Sequence, residues 1–300
     1  MIGCDCNAGL SNTGRPACVP IQSVTSALIV VPLTANDGTK NGIDLSAALP
    51  TWSDLINEAD ASKRWFPLPA FENVELPKAD SQFEEANSGR MAFLRQGKRS
   101  FSGELWSEDS TPTFLGKLTK SRCVDFGIYI VDVNGNLIGS EVDGYLYPIP
   151  VDNPSWDPRF MFATDSTVQK IMLGFDFDRL FDESTMYMIT PDEASQNFND
   201  LEGLIDVLFT STSAAGTFDS VTFDAKLHYG TALNKILYTG ATNVADWELY
   251  INGVLTPLSG SPVESPDGTY TLSFAAQSSG DVALVKVVRT GYIGEVSITL

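Results

Sequence analysis

The spacing of apolar positions changes several times along this chain, and each change predicts a different kind of structure. Residues 1–23 carry no periodic pattern and are broken by Gly3, Gly9, Gly14, Pro16 and Pro20, which predicts an arm without regular structure of its own. A short apolar run over residues 28–33 reads as a first strand, and a polar loop over 36–42 follows it. Over residues 51–64 the spacing becomes helical: Thr51 precedes Asp54 by three as a cap, and Trp52, Leu55, Ile56 and Ala59 share one face. Between residues 65 and 89 the pattern breaks down. Pro67, Pro69 and Pro77 forbid regular helix and fit badly in a central strand, so a long extended loop is predicted. A loop of that length in a compact domain serves a function or meets a partner.

After Gly89 the apolar period is mostly two. Residues 123–133 place Val124, Phe126, Ile128 and Ile130 on one face, and Asn134-Gly135 marks a tight hairpin before Leu137 and Ile138. Residues 169–177 alternate more cleanly, with Ile171, Leu173, Phe175 and Phe177 opposite Lys170, Met172, Gly174 and Asp176. Both segments read as half-buried antiparallel strands. The proline-rich stretch from Tyr147 to Pro158 between them reads as a rigid connector. The chain turns polar over residues 182–200, which puts a domain boundary near 198. Beyond it, strands are expected at 204–209, 221–227, 247–251, 270–274, 282–288 and 296–300, separated by Gly, Pro and Ser turns. That rhythm suggests a β-sandwich of immunoglobulin-like character over residues 198–300. The fold expected is therefore mainly β: an antiparallel barrel or sandwich with one flanking helix over 24–197, then a small sandwich.

Charge narrows the function. The 38 Asp and Glu against 19 Lys and Arg leave a formal net charge of −19, a balance that repels nucleic acid and anionic membranes. Residues 201–300 hold 10 acids and 4 bases, so −13 of the excess falls on the first 200 residues. Apolar runs are far shorter than the ~20 residues of a membrane span. The N-terminus has neither a basic region nor an apolar stretch, so no signal peptide and assembly in a cytoplasm are expected. Cys4, Cys6 and Cys18 crowd the start while Cys123 stands alone, and no CxxC pair occurs. Free thiols, a late disulfide and a metal site are the readings open, with thiols favoured under reducing conditions.

Signatures of hydrolases and nucleotide enzymes are missing, and a single histidine, His228, leaves little imidazole chemistry. His228 ends a predicted strand and reads as a strand-end residue rather than a catalytic base. Asp176 and Asp178 could act as paired carboxylates, but solvated strand charge explains them as well. Asp132, Asn134 and Asn136 have the alternating oxygens of a calcium loop. Gly135, however, stands at the fourth position where that loop has glycine at the sixth, and a hairpin turn accounts for them better. Seven of the 19 basic residues, Arg90, Arg95, Lys98, Arg99, Lys117, Lys120 and Arg122, fall within 33 positions. Phe93, Phe101, Trp106 and Phe114 interleave with them. A nucleic-acid groove, a solvated face and pairing with an acidic surface of a neighbouring copy are the three readings, and Glu104, Glu108 and Asp109 favour the last. No catalytic residue, cofactor or metal is expected.

The arm, the capped helix, the proline-rich excursion and the strands from Ser100-Phe-Ser-Gly-Glu-Leu-Trp106 through residues 126–133 to 169–177 together resemble a bacteriophage tail tube protein. The runs from Gly3 to Cys18 and from Ala163 to Ile171 are similar to virion proteins of phages of Bacteroidetes hosts. That resemblance implies hexameric rings in which each subunit gives strands to a continuous inner β-barrel, with rings stacked into a tube that conducts DNA. It implies that loops and arms bridge successive rings, which makes Trp65, Phe66, Leu68, Phe71, Arg90, Arg95, Lys98 and Arg99 the candidate inter-subunit residues. The C-terminal domain would decorate the outside of the virion and contact host surface or glycans. A capsid-decorating or head-tail connector protein is the alternative within the same class, and a carbohydrate-binding protein the alternative outside it.

Overall fold

The computed structural model describes residues 21–85, 87–106, 111–230 and 235–300. The expected arm and its Cys4, Cys6 and Cys18 lie almost wholly outside the described residues. The chain divides into two units after Gly203, so the boundary falls slightly later than the sequence suggests. Phe198 accounts for the shift, because it is buried in the first unit with its ring 4.7 Å from that of Trp52.

In chain order the first unit begins with β1 (Thr25–Pro32), β2 (Ile43–Asp44), α1 (Trp52–Ile56), β3 (Phe66–Pro67), β4 (Glu72–Glu75), β5 (Gln82–Glu85), β6 (Met91–Arg95) and β7 (Ser100–Trp106). It continues through α2 (Pro112–Lys120), β8 (Phe126–Asp132), β9 (Leu137–Val142), β10 (Tyr145–Tyr147), β11 (Ile149–Pro150), β12 (Asp157–Met161), β13 (Lys170–Asp176), β14 (Met186–Ile189) and α3 (Pro191–Ala194). Two sheets face each other. The larger runs β2-β10-β9-β8-β1-β3, with β11 on β8 and β14 on β9, and the smaller runs β12-β13-β7-β4. Their shared core holds Leu28, Val30, Phe126, Ile128 and Ile130 from one sheet against Phe101, Leu105, Ile171, Leu173 and Phe175 from the other. Each such side chain contributes about 1.5–3 kcal/mol on burial.

β8 is buried at every position, not on one face as its alternation suggested, and Val124 lies before it, exposed. The outer face of the large sheet is covered too. Trp65 packs on Tyr129 with centroids 4.7 Å apart, Trp52 packs on Trp65 at 5.8 Å, and the Trp52 indole donates to Ala194 O. A strand covered on both sides needs apolar residues at both parities, which is what Phe-Gly-Ile-Tyr-Ile-Val supplies. The Asn134-Gly135 hairpin forms as expected between β8 and β9, with Gly135 at φ 79°.

The long helix expected over 51–64 is only α1, and Thr51 makes no side-chain cap bond. Asp60 Oδ1 accepts from both the amide and hydroxyl of Ser62, a local turn that competes with helix, and the buried Arg64 guanidinium takes up Glu58 O and Ala59 O. This reversal inserts Trp65 into the core. The longer helix is α2, capped by the Thr111 hydroxyl accepting from the Phe114 amide and seated on Trp156, whose indole donates to Leu118 O. Gly116 within a nine-residue segment hides it from a periodicity reading.

Residues 65–89 are not one extended loop. β3 pairs with β1, Pro67 sitting on a two-residue edge strand where its missing N–H costs little. β4 pairs with β7, and β5 and β6 form a separate two-stranded hairpin. The stretch 147–158 is likewise partly strand: β11 pairs with β8, and β12 with β13.

The second unit runs β15 (Ile205–Ala214), β16 (Ser220–Gly230), β17 (Lys235–Leu237), β18 (Trp247–Ile251), β19 (Val254–Leu255), β20 (Val263–Glu264), β21 (Thr269–Ser273), β22 (Val282–Val287) and β23 (Tyr292–Thr299). Its order is β19-β18-β22-β23-β15-β16-β21-β20, with β17 on β16. β15 pairs in parallel with β23 at its start and antiparallel with β16 beyond, joining the two layers. Lettered A to G in chain order with β17 left aside, this is one layer of A, B, E and D and another of C′, C, F and G: the immunoglobulin-like sandwich expected. Trp247 on strand C sits at the centre among Phe223, Tyr238 and Tyr270, its indole donating to Ala241 O at 2.8 Å.

Candidate self-association surface

The small sheet of the first unit has one face in the core and the other outside. Antiparallel register fixes which residues share that outer face. Glu104 on β7 pairs with Glu72 on β4 and Met172 on β13, and Met172 pairs with Arg159 on β12. The neighbouring rows are Glu75, Ser102, Gly174 and Asp157, then Ser100 with Asp176, and at the far end Trp106, Lys170 and Met161. Five acids and two bases thus stand on the strands of this face.

Its cations are all engaged. Lys170 Nζ donates to Glu104 at 2.6 Å, Arg159 lies 3.1 Å from Asp157, Lys98 reaches in to Asp176 at 2.5 Å, and Arg122 reaches Asp157 at 3.0 Å. Burial alone pushes the Glu104 carboxyl up, but donation from Lys170, Trp106 Nε1 and Asn73 Nδ2 outweighs it and holds the group below its ordinary value. At Asp176 burial is likewise the largest single influence and is overcome by Lys98 and the Ser100 hydroxyl. Glu72 and Glu75 make no ion pair among the described residues. The face is therefore one on which every Lys or Arg already has a carboxylate partner while spare carboxylates remain.

Neither edge strand of this sheet has a second strand partner, although α2 packs beside β12. Among the described strands β12 pairs only with β13, and β4 only with β7. An unpaired row of backbone N–H and C=O groups is a template for another strand.

From the β4–β7 edge the ribbon runs on past the end of the sheet. Ser100 N donates to Pro77 O, Ala79 N to Lys98 O, and then β5 and β6 pair as a hairpin closed at Gly89, φ 77°. Gly97 permits the close crossing at the base, where a Cβ would sit 1.5 Å from Ala79 O. Arg99 and Lys78 both bond Glu183, at 2.8 and 2.7 Å, and fix the ribbon to the body, holding the Glu183 carboxyl below its usual range. The hairpin strands are exposed throughout, including Phe83, Met91, Phe93 and Leu94. Phe83 and Phe93 face each other across the hairpin, centroids 5.7 Å apart.

Of the eight candidate contact residues, Trp65 and Phe71 are buried in the chain's own core and Leu68 is packed against it, while Phe66 is partly exposed. Arg90 and Arg95 lie on the exposed hairpin, whereas Lys98 and Arg99 are tied into the ion pairs at its base. The basic cluster is thereby dispersed: Arg122 also donates to Trp156 O, and Phe101 is core. Cys123 is an exposed free thiol. Asp178 Oδ1 closes a local turn to Leu180 N, apart from the Asp176–Lys98 pair. His228 stands 3.6 Å from Asp206. Asp132 accepts from the amides of Asn134, Asn136 and Ser23 and from Asn136 Nδ2, so its carboxylate holds a hairpin turn. Glu72, Glu75, Asp157 and Arg159 were not singled out in the sequence, because only register places them beside β13.

No helix among the described residues is long and apolar enough to cross a membrane. The chain matches no protein-family model and no curated protein.

Proposed function

We propose that this chain is a structural virion protein whose first unit is a wall segment of a phage tail tube, without catalysis. Copies associate edge to edge through β12 and β4, rings of six stack, and the polar face of the small sheet lines the lumen. The observation that carries the reading is that small sheet: core on one side, charge-paired on the other, without a strand partner at either edge. Six copies of four strands spaced ~4.8 Å apart enclose roughly 37 Å before tilt widens the ring, room for a DNA duplex.

Pairing of the cations, more than net acidity, sets how such a wall meets DNA. DNA is gripped when free cations displace its counterions. A wall whose lysines and arginines are all paired with carboxylates, Arg122 and Arg159 sharing Asp157, and which keeps carboxylates to spare offers little such exchange, so the duplex slides. The second unit is carried as a separate appendage able to contact host surface or glycans. Electron microscopy of the purified chain tests the reading: rings or tubes of constant bore are expected, and a stable monomer at high concentration overturns it.

A further inference from the structure

We infer that the exposed hairpin of one copy docks on an apolar patch at the opposite end of the small sheet of a second copy, formed by Trp106, Met161, Phe162 and Val168. This rests on the tube reading and assigns the receiving surface.

The two surfaces are related by the geometry of one pair of strands. β7 begins at Ser100, where the ribbon to the hairpin leaves, and ends at Trp106; β13 runs antiparallel beside it from Lys170 to Asp176. The hairpin therefore projects from one end of the sheet and the patch caps the other. Trp106 and Met161 flank Lys170 in a single row across three strands, and Lys170 Nζ lies 5.8 Å from the Trp106 ring centre. Phe162 follows, 79% exposed, with its ring 5.1 Å from Phe160, and Val168 returns from the same loop at 49% exposure. Large apolar groups gathered at a sheet end have no role in the chain's own core, and the hairpin presents a second such group at the other end.

A patch at one end that fits a projection at the other makes a head-to-tail contact, which repeats from copy to copy and, between stacked rings, propagates along the axis. Ten residues of ribbon from Met91 to Ser100, if fully extended, span about 33 Å, against roughly 23 Å for the seven-residue β7, enough for the hairpin to stand clear of the end of the sheet. One charge pair can form across the contact: Arg90 beside the tip and Asp165 in the receiving loop are both exposed, and neither has an ion-pair partner among the described residues, although the same hairpin also exposes Glu84 and Glu85.

The test uses the full chain with a benzophenone amino acid replacing Phe93, irradiated in assembled and dispersed samples. Cross-links to peptides covering residues 160–170 of another copy are expected, and only on assembly. In parallel, Arg90→Glu and Asp165→Lys should each raise the concentration needed for polymerisation about tenfold, and the double variant should recover most of it. Both sites are exposed, and unchanged circular dichroism will establish that the variants fold. Tubes that form with cross-links elsewhere, or a double variant no better than the singles, overturn this contact alone. A wild-type chain that stays monomeric overturns the tube reading and the contact with it.

Discussion

Both units are mainly antiparallel β structures with aromatic cores, yet the small sheet of the first and the layers of the second treat their edges in opposite ways. The second ends its layers in two-residue strands, β19 and β20, too short to recruit a partner, and its Trp247-centred core accounts for nearly all its large aromatics. The first leaves the four- and five-residue strands β4 and β12 open and extends one of them into a hairpin that buries nothing of its own. A sandwich that is complete by itself can be appended to anything. A unit with unpaired sheet edges and an unburied ribbon is, on the proposed reading, completed by other copies.

That contrast can be broken at several points. Replacing residues 80–97 with a short turn should abolish tube formation while leaving the thermal melt of the first unit in place; scattering and microscopy read the first, calorimetry the second. Deleting residues 66–79 as well should unfold the unit, since Phe71 is core and β3 and β4 are paired. Trp247→Ala should cost the second unit about 3–5 kcal/mol and lower its melting transition without altering assembly. A changed polymerisation threshold in that variant would show that the units are not independent. Gly97→Ala should cost about 1–3 kcal/mol of local stability, because the new Cβ must displace the Ala79 carbonyl. Faster amide exchange confined to residues 78–99 is the expected signature.

Two smaller effects follow from charge. Glu104, Asp176 and Glu183 are held below their ordinary values in the folded chain. Below roughly pH 5 the unfolded chain binds protons that the native one does not, so stability is full above the ordinary carboxylate range and is lost as pH falls through and below it. Denaturant melts at pH 7, 4 and 3 should show this loss chiefly in the first unit, because in the second the acid with a lowered pKa, Asp281, is at the surface. Glu104→Gln with Asp176→Asn frees Lys170 and leaves Lys98 only its longer contact to Asp152, at 3.7 Å, on the polar face. Tubes of that variant should retain duplex DNA at low salt and release it as salt rises, whereas wild-type tubes should retain none.

Sequence patterning carried the six longer strands of the second unit, because strands such as β18, β21 and β22 are covered on one side and keep a clean period of two, and it missed the two- and three-residue β17, β19 and β20. It carried β13 and the Asn134-Gly135 turn for the same reason. Where burial is two-sided, as at β8, alternation gave the strand but half its environment. Where a local turn competes with helix, as at Asp60 and Ser62, a helical spacing of Trp52, Leu55, Ile56 and Ala59 overran its true end. The surface was least legible. Proline count marked residues 65–89 as unusual, but pairing alone separates the buried Trp65 and Phe71 from the exposed Phe83. The outer face likewise needs the register that aligns Glu72, Glu104, Met172 and Arg159 across four strands.

The continuity of the ribbon with β7 also has a mechanical meaning. A pull on the hairpin along its length is delivered to β7 and shared lengthwise among the seven residue pairs that join it to β13. Bonds loaded in this way must slide and fail together, whereas a pull across the strands would open them one after another. The same attachment is thus stiff to tension along the axis and weak to peeling from the side, a directional fastener built from an ordinary sheet.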